Sequence, residues 1–238
     1  MRNVIPLTQR ELAATFLSPV AYIVAALFLV TSGHFFLSQT LVAGREASLR
    51  AMFESMAGIL VFAVPLLTMR ALAEEFATGT IETLMTAPVT DVEVILGKFF
   101  GLLLFYAALL LTTLLHVLLV TVYGGSQPAV VLLAYTGMLL LGAMFIAVGL
   151  FASALTRYQL LAALGGMAIL SLLTFVVDQL ARWGGGTIRL VLGYVNVMGN
   201  FESFSKGFFD TRAIVFFVSM TLLFLFLSVK VLESRRWR

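Results

Sequence analysis

No cysteine occurs among the 238 residues, which excludes disulfides, thiolate metal ligands and cysteine nucleophiles together. Charge is scarce as well. Only 11% of the residues are Asp, Glu, Lys or Arg, against roughly a quarter in a soluble domain, so water is not the main solvent of the folded chain. His34 and His116 are the only side chains whose ordinary pKa lies near neutrality. An ion-coupled carrier needs ionisable groups at membrane depth and finds almost none here. No serine sits in a recognisable nucleophile motif, and no Gly-x-x-x-x-Gly-Lys-Ser/Thr phosphate loop is present. Neither hydrolysis nor ATP binding is expected of these residues, and the chain reads as a non-enzyme. The net charge of +3 comes from basic residues at the ends of apolar runs. That distribution points to membrane anchoring and away from nucleic acid.

Apolar length is what the chain has in abundance. Hydrophobic residues make up 61% of it, and runs able to cross a ~30 Å hydrocarbon core recur from end to end. Spans are expected at about 19–38, 55–69, 99–123, 129–155, 158–177 and 213–229, which makes residues 1–238 one all-α membrane domain. Ser18 and Pro19 give the first span a start signal, a hydroxyl at the N-cap and a proline where no donor is needed. The second span is charge-free for only about 22 Å of helix, so its ends must borrow neighbours such as Glu54 or Arg70. Pro65 is a candidate kink within it.

Before the first span, Ile5, Leu12, Ala13, Phe16 and Leu17 share one helical face and Gln9, Arg10 and Glu11 turn to the other. This is the pattern of a short helix lying in contact with membrane lipid at the interface. Ala143 with Ala147, Gly149 with Ser153 and Ala162 with Gly166 are small residues at helical spacing, suited to close packing inside one subunit or between two. Six spans place both termini on one side. The basic tail Lys230, Arg235, Arg236 and Arg238 makes that side the cytoplasm.

The most organised polar stretch is residues 70–98, between spans two and three. Gly79 permits a sharp reversal, Thr80 is positioned to cap a short helix, and Pro88 ends that helix because its ring disfavours helical geometry at Ala87. Ile81, Leu84 and Met85 share the helix's apolar face, with Glu82 on the other. Thr90 and Glu93 then form a capping box into span three. A short amphipathic helix held between two spans is suited to pressing an apolar knob into a partner. Resting on lipid is the competing reading, and the acidic residues Glu74, Glu75, Glu82, Asp91 and Glu93 oppose it, since an anionic leaflet repels them. On the other side, Glu202 and Lys206 stand i, i+4 before span six, the order that a helical ion pair prefers.

At this point the chain resembles the ABC-2 type permeases, and within them the gliding-motility permease subunit and relatives near the nitrous-oxide-reductase maturation permease. The matching stretches are Ser18-Pro-Val-Ala-Tyr-Ile-Val24, Met69-Arg-Ala-Leu-Ala-Glu-Glu-Phe76, Gly79-Thr-Ile-Glu-Thr-Leu-Met-Thr-Ala-Pro88, Ile95-Leu-Gly-Lys-Phe99, Gly149-Leu-Phe-Ala-Ser-Ala-Leu155 and Phe201-Glu-Ser-Phe-Ser-Lys-Gly-Phe-Phe-Asp210. The resemblance implies six spans, a cytoplasmic coupling helix between spans two and three, and a re-entrant or extracytoplasmic helical segment before span six. It implies a second permease copy or a homologous permease subunit as partner, giving a dimer in the bacterial inner membrane. It also implies two copies of a cytoplasmic ABC ATPase subunit that carry the ATP and Mg, this chain binding no cofactor itself. A membrane protein with a large extracytoplasmic domain is a further implied partner.

By the same resemblance Glu74, Glu75, Gly79, Thr80, Ile81, Glu82, Leu84, Met85 and Pro88 are the ATPase-coupling residues, and Phe201, Glu202 and Lys206 belong to an outer gate. The rival expectation is an ATP-independent structural anchor in a multiprotein complex.

Overall fold

The computed structural model describes residues 3–40, 48–80, 89–123, 128–183, 185 and 192–236, and every regular element among them is helical. In chain order these are α1 (Val4–Phe16), α2 (Pro19–Phe35), α3 (Arg50–Thr68), α4 (Ala73–Thr78), α5 (Asp91–Thr112), α6 (Leu114–Tyr123), α7 (Pro128–Leu155), α8 (Gln159–Ser171), α9 (Val177–Trp183), α10 (Val197–Ser205) and α11 (Thr211–Arg236). π-Helical turns at Phe36–Thr40 and Leu172–Val176 extend α2 and join α8 to α9.

Among the described residues, six helical stretches are long and apolar enough to cross a membrane: Pro19–Thr40, Arg50–Thr78, Asp91–Val122, Pro128–Leu155, Gln159–Trp183 and Thr211–Arg235. They run past the charge-free windows of the sequence. Charges within them can be paired with other side chains, as at Arg50 with Glu54 and Arg70 with Glu74, so a charge does not mark where a helix stops.

Spans two and four form the centre of the bundle. In their apolar windows 67% and 72% of the residues are buried, against 28–33% in the other four. In lipid the hydrophobic effect does not drive helices together, so close approach of backbones must do so. Span four, α7, supplies it through glycine. A side chain on Gly137 would meet Phe204, one on Gly142 the Tyr106 ring, and one on Gly149 the Thr68 hydroxyl. Tyr106 is thereby seated to donate its hydroxyl to the Met138 carbonyl at 2.9 Å. Ala147, Ser153 and Ala162 are buried within the subunit, and Gly166 faces Pro65. The small-residue spacing therefore serves packing inside this chain.

The amphipathic helix α1 lies against α5, where Gly97 and Gly101 make room for Leu7 and Glu11. Ile5 and Leu17 remain 69% and 83% exposed. Ser18 departs from its expected role: it occupies the N-cap of α2 but makes no side-chain cap bond, and its hydroxyl instead accepts from Arg70 Nη1 at 3.1 Å. A charged guanidinium is the stronger donor and takes the oxygen. Each histidine packs on a phenylalanine ring, His34 on Phe35 and His116 on Phe36, rather than on the other histidine.

The first described helix, α1, and the end of α11 lie at one end of the bundle. Glu11 of α1 meets Lys98 of α5, and Arg235 near the end of α11 reaches Phe76 of α4. The segments 70–80 and 89–98 share this end, and Arg50, Glu54 and Glu202 gather at the opposite one.

Candidate functional site

The site begins where span two breaks. α3 ends at Thr68 and α4 starts at Ala73, which frees backbone groups deep in the bundle, where no lipid can satisfy them. One side chain of α7 repairs the break. Ser153 Oγ accepts from the N–H groups of Leu72 (3.1 Å) and Ala73 (3.0 Å) and donates to the Met69 carbonyl (3.1 Å). Ser153→Ala would leave three buried groups unpaired at roughly 1–3 kcal/mol each before relaxation. We expect the variant to insert but to melt well below the parent in a thermal-unfolding measurement in detergent, and an unchanged melting temperature would contradict this role.

From that break α4 is held on all sides. Arg70 grips Glu74 with two bonds, Nε to Oε2 at 2.7 Å and Nη2 to Oε1 at 2.8 Å. Lys98, on α5, places its ammonium between Glu75 Oε1 (2.7 Å) and Glu11 Oε2 (3.1 Å). The Lys98 side chain is 7% exposed and the two glutamates about one-fifth exposed, so this triad joins α1, α4 and α5 in a setting with little water. On the remaining side Arg235 stacks its guanidinium 4.4 Å from the Phe76 ring centre and donates to the Leu155 carbonyl at the end of α7.

Gly79 closes α4 in the left-handed conformation, φ +73°, which a side chain would oppose. The Thr80 hydroxyl lies 2.9 Å from that of Thr78. On the far side of the connection the expected capping box is present. Glu93 N–H donates to Thr90 Oγ1 at 3.3 Å, and Thr90 N–H donates to Glu93 Oε2 at 3.2 Å. Ile81, Glu82, Leu84, Met85 and Pro88, with the helix expected there, lie outside the described residues. What the structure describes is the two roots of that segment, both tied to the bundle by specific bonds.

At the opposite end α10 is anchored by Phe201 and Phe204, both fully buried, with Phe204 against Gly137. Its polar side carries Glu202, which receives Lys206 Nζ at 2.6 Å and Arg50 Nη2 at 2.9 Å. Lys206 foremost, with the charges of Arg50 and Arg182, holds the Glu202 carboxyl below the usual carboxylate range. Arg50 also pairs with Glu54 at 2.8 Å, and Glu54 accepts from Ser205 Oγ at 2.9 Å. Asn196 caps α10 through the Gly199 N–H (3.0 Å) and donates its amide to Asp178 Oδ1 at 2.8 Å. Glu54, Asp178 and Glu202 line a wide cavity of about 1390 Å³, together with Arg182, Asp210 and Arg212. Arg50, Glu202 and Lys206 are between a third and a half exposed, where an ion pair contributes only ~0.2–1 kcal/mol. The network therefore sets the register of α10 against span two more than it stabilises the bundle.

The Glu202–Lys206 pair is legible in the sequence and its third member Arg50 is not, though Arg50 and Glu54 at i, i+4 are a signal. Lys98 reads there as a mere boundary. A lone lysine at the head of the long apolar run of span three needed a partner at that depth.

Compared with known families, the chain matches the sequence model described as ABC-2 family transporter protein over residues 8–232. No curated protein matches it significantly.

Proposed function

This multi-pass membrane protein belongs to the ABC-2 family of transporter proteins, and we propose from that premise that it is the non-catalytic permease subunit of a transporter whose ATP is hydrolysed by a separate chain. The residues 81–88 are the docking element for that ATPase in this reading. The observation that carries it is the bracing of both roots. Glu74, Glu75 and Phe76 bind Arg70, Lys98 and Arg235, and Glu93 closes its box on Thr90. A displacement applied between these roots is delivered to α1 and to spans two, three, four and six together, whereas a loosely tethered loop would dissipate it.

In the finer reading both termini face the cytoplasm of a bacterial inner membrane. A second permease copy or a homologous permease subunit completes the pathway, and the ATPase is present twice. Output as export, or as work on an extracytoplasmic partner in the manner of the gliding-motility branch, fits the same arrangement.

The test is purification of the tagged chain from its native membrane. We expect an ATP-hydrolysing subunit to copurify, with a hydrolysis rate that changes when this chain is removed. A chain that purifies without one, or an ATPase indifferent to it, would favour the structural-anchor alternative.

A further inference from the structure

A second, smaller cavity of about 440 Å³ opens at the end that carries α1 and the close of α11, between α1, the start of α2 and α4. Its walls differ in character. Ala21, Leu67 and Leu102 give it an apolar floor, and Arg10, Ser18 and Glu75 stand among its polar lining. Two of these groups have chemistry that the fold leaves unused. Glu75 gives Oε1 to Lys98, but its Oε2 is buried with no hydrogen-bond donor, a costly condition for a carboxylate oxygen. Arg10 is exposed on α1 and has no carboxylate at ion-pair distance among the described residues.

The charge arrangement follows from the same contacts. Lys98 answers two carboxylates, so the Glu11–Lys98–Glu75 cluster carries one negative charge in excess. Arg70 and Glu74 cancel, and Arg10 adds one positive charge on the α1 side. The cavity is therefore dipolar, an anion short of a donor at one place and a cation short of an anion at another, above an apolar floor.

We propose that this cavity is a binding site for the headgroup of an aminophospholipid, phosphatidylethanolamine being the simplest example. Its phosphate pairs with Arg10, its primary ammonium donates to Glu75, and the top of an acyl chain covers the apolar floor. A phosphatidylcholine headgroup has the same charges but no N–H to donate, and phosphatidylglycerol has the phosphate without the cation. The site discriminates among the three by hydrogen bonding and charge together. The proposal concerns the lipid leaflet beside this end of the bundle and does not depend on the ATPase reading.

The experiment is native mass spectrometry of the full-length chain, delipidated in detergent and titrated with phospholipids of identical acyl chains. The headgroups are ethanolamine, N-methyl-, N,N-dimethyl- and trimethyl-ethanolamine, and glycerol, with soluble phosphoethanolamine as a chain-free control. A hydrogen bond between charged groups supports an expected preference of about tenfold for ethanolamine over its trimethyl form. Arg10→Gln, at an exposed position that leaves the fold intact, should weaken ethanolamine lipid binding about tenfold, and Glu75→Gln should abolish the discrimination between ethanolamine and trimethyl headgroups. Equal retention of the ethanolamine and trimethyl lipids would overturn the proposal. So would stronger retention of the glycerol lipid, an Arg10→Gln variant that binds like the parent, or soluble phosphoethanolamine binding as tightly as the lipid.

Discussion

Lys98→Met should be among the most damaging single substitutions in this chain, lowering stability by about 3–5 kcal/mol, the usual cost of removing one partner from a buried ion pair. Methionine keeps the length and apolar stem of lysine and removes only the charge and its donors, so the loss isolates the electrostatic part. Glu11 and Glu75 would then face each other with no cation between them, each about one-fifth exposed. The bonds that fix α1 and α4 onto α5 would be lost together. Thermal unfolding in detergent should show a large drop, with early proteolysis of the N-terminal helix. Glu11→Gln alone should cost much less, because Lys98 keeps Glu75 at 2.7 Å. Adding Glu11→Gln and Glu75→Gln to Lys98→Met should recover most of the stability, since no unpaired charge then remains. A Lys98→Met chain as stable as the parent would mean that the triad is incidental to the fold.

The parts of this architecture that are local in sequence were legible from it. Six apolar runs became six spans, Gly79 took the left-handed conformation, and Thr90 with Glu93 formed the capping box. Glu202 and Lys206 paired at i, i+4. Each rests on residues a few positions apart, where the helix geometry alone brings groups together.

The parts that were not legible join residues far apart. Lys98 meets Glu11 across 87 positions and Arg50 meets Glu202 across 152. Nothing in the local pattern names the partner, although the isolated charge hints that one is needed. Of the apolar face assigned to α1, Ile5 and Leu17 are exposed while Leu12 packs on the core and Phe16 on the Phe105 ring, and the Leu7 and Glu11 line that packs on Gly97 and Gly101 was overlooked. Ser18 and Ser153 show the same limit. A hydroxyl in a helical sequence reads as a cap or a small residue, while its bonds here depend on Arg70 and on the break between α3 and α4.

In the proposed arrangement residues 81–88 receive an ATPase subunit, and the bundle receives its motion through their roots. The variants that probe this are at Leu84 and Met85, adjacent apolar residues that the sequence pattern expects to share a helical face with Ile81. Burying a leucine-sized side chain at an interface contributes ~1.5–3 kcal/mol, and an aspartate in its place adds the cost of a desolvated charge, so docking should weaken about tenfold or more. The stability of the membrane bundle should not change, because Ser153 and Lys98 hold the roots independently of these two side chains. The measurement is the affinity of the ATPase subunit for the detergent-solubilised Leu84→Asp and Met85→Asp chains, with the rate of ATP hydrolysis followed in the same samples. We expect folded chains that bind the ATPase at least about tenfold more weakly and no longer alter its hydrolysis rate. Full affinity and an unaltered effect on hydrolysis in both variants would contradict this arrangement.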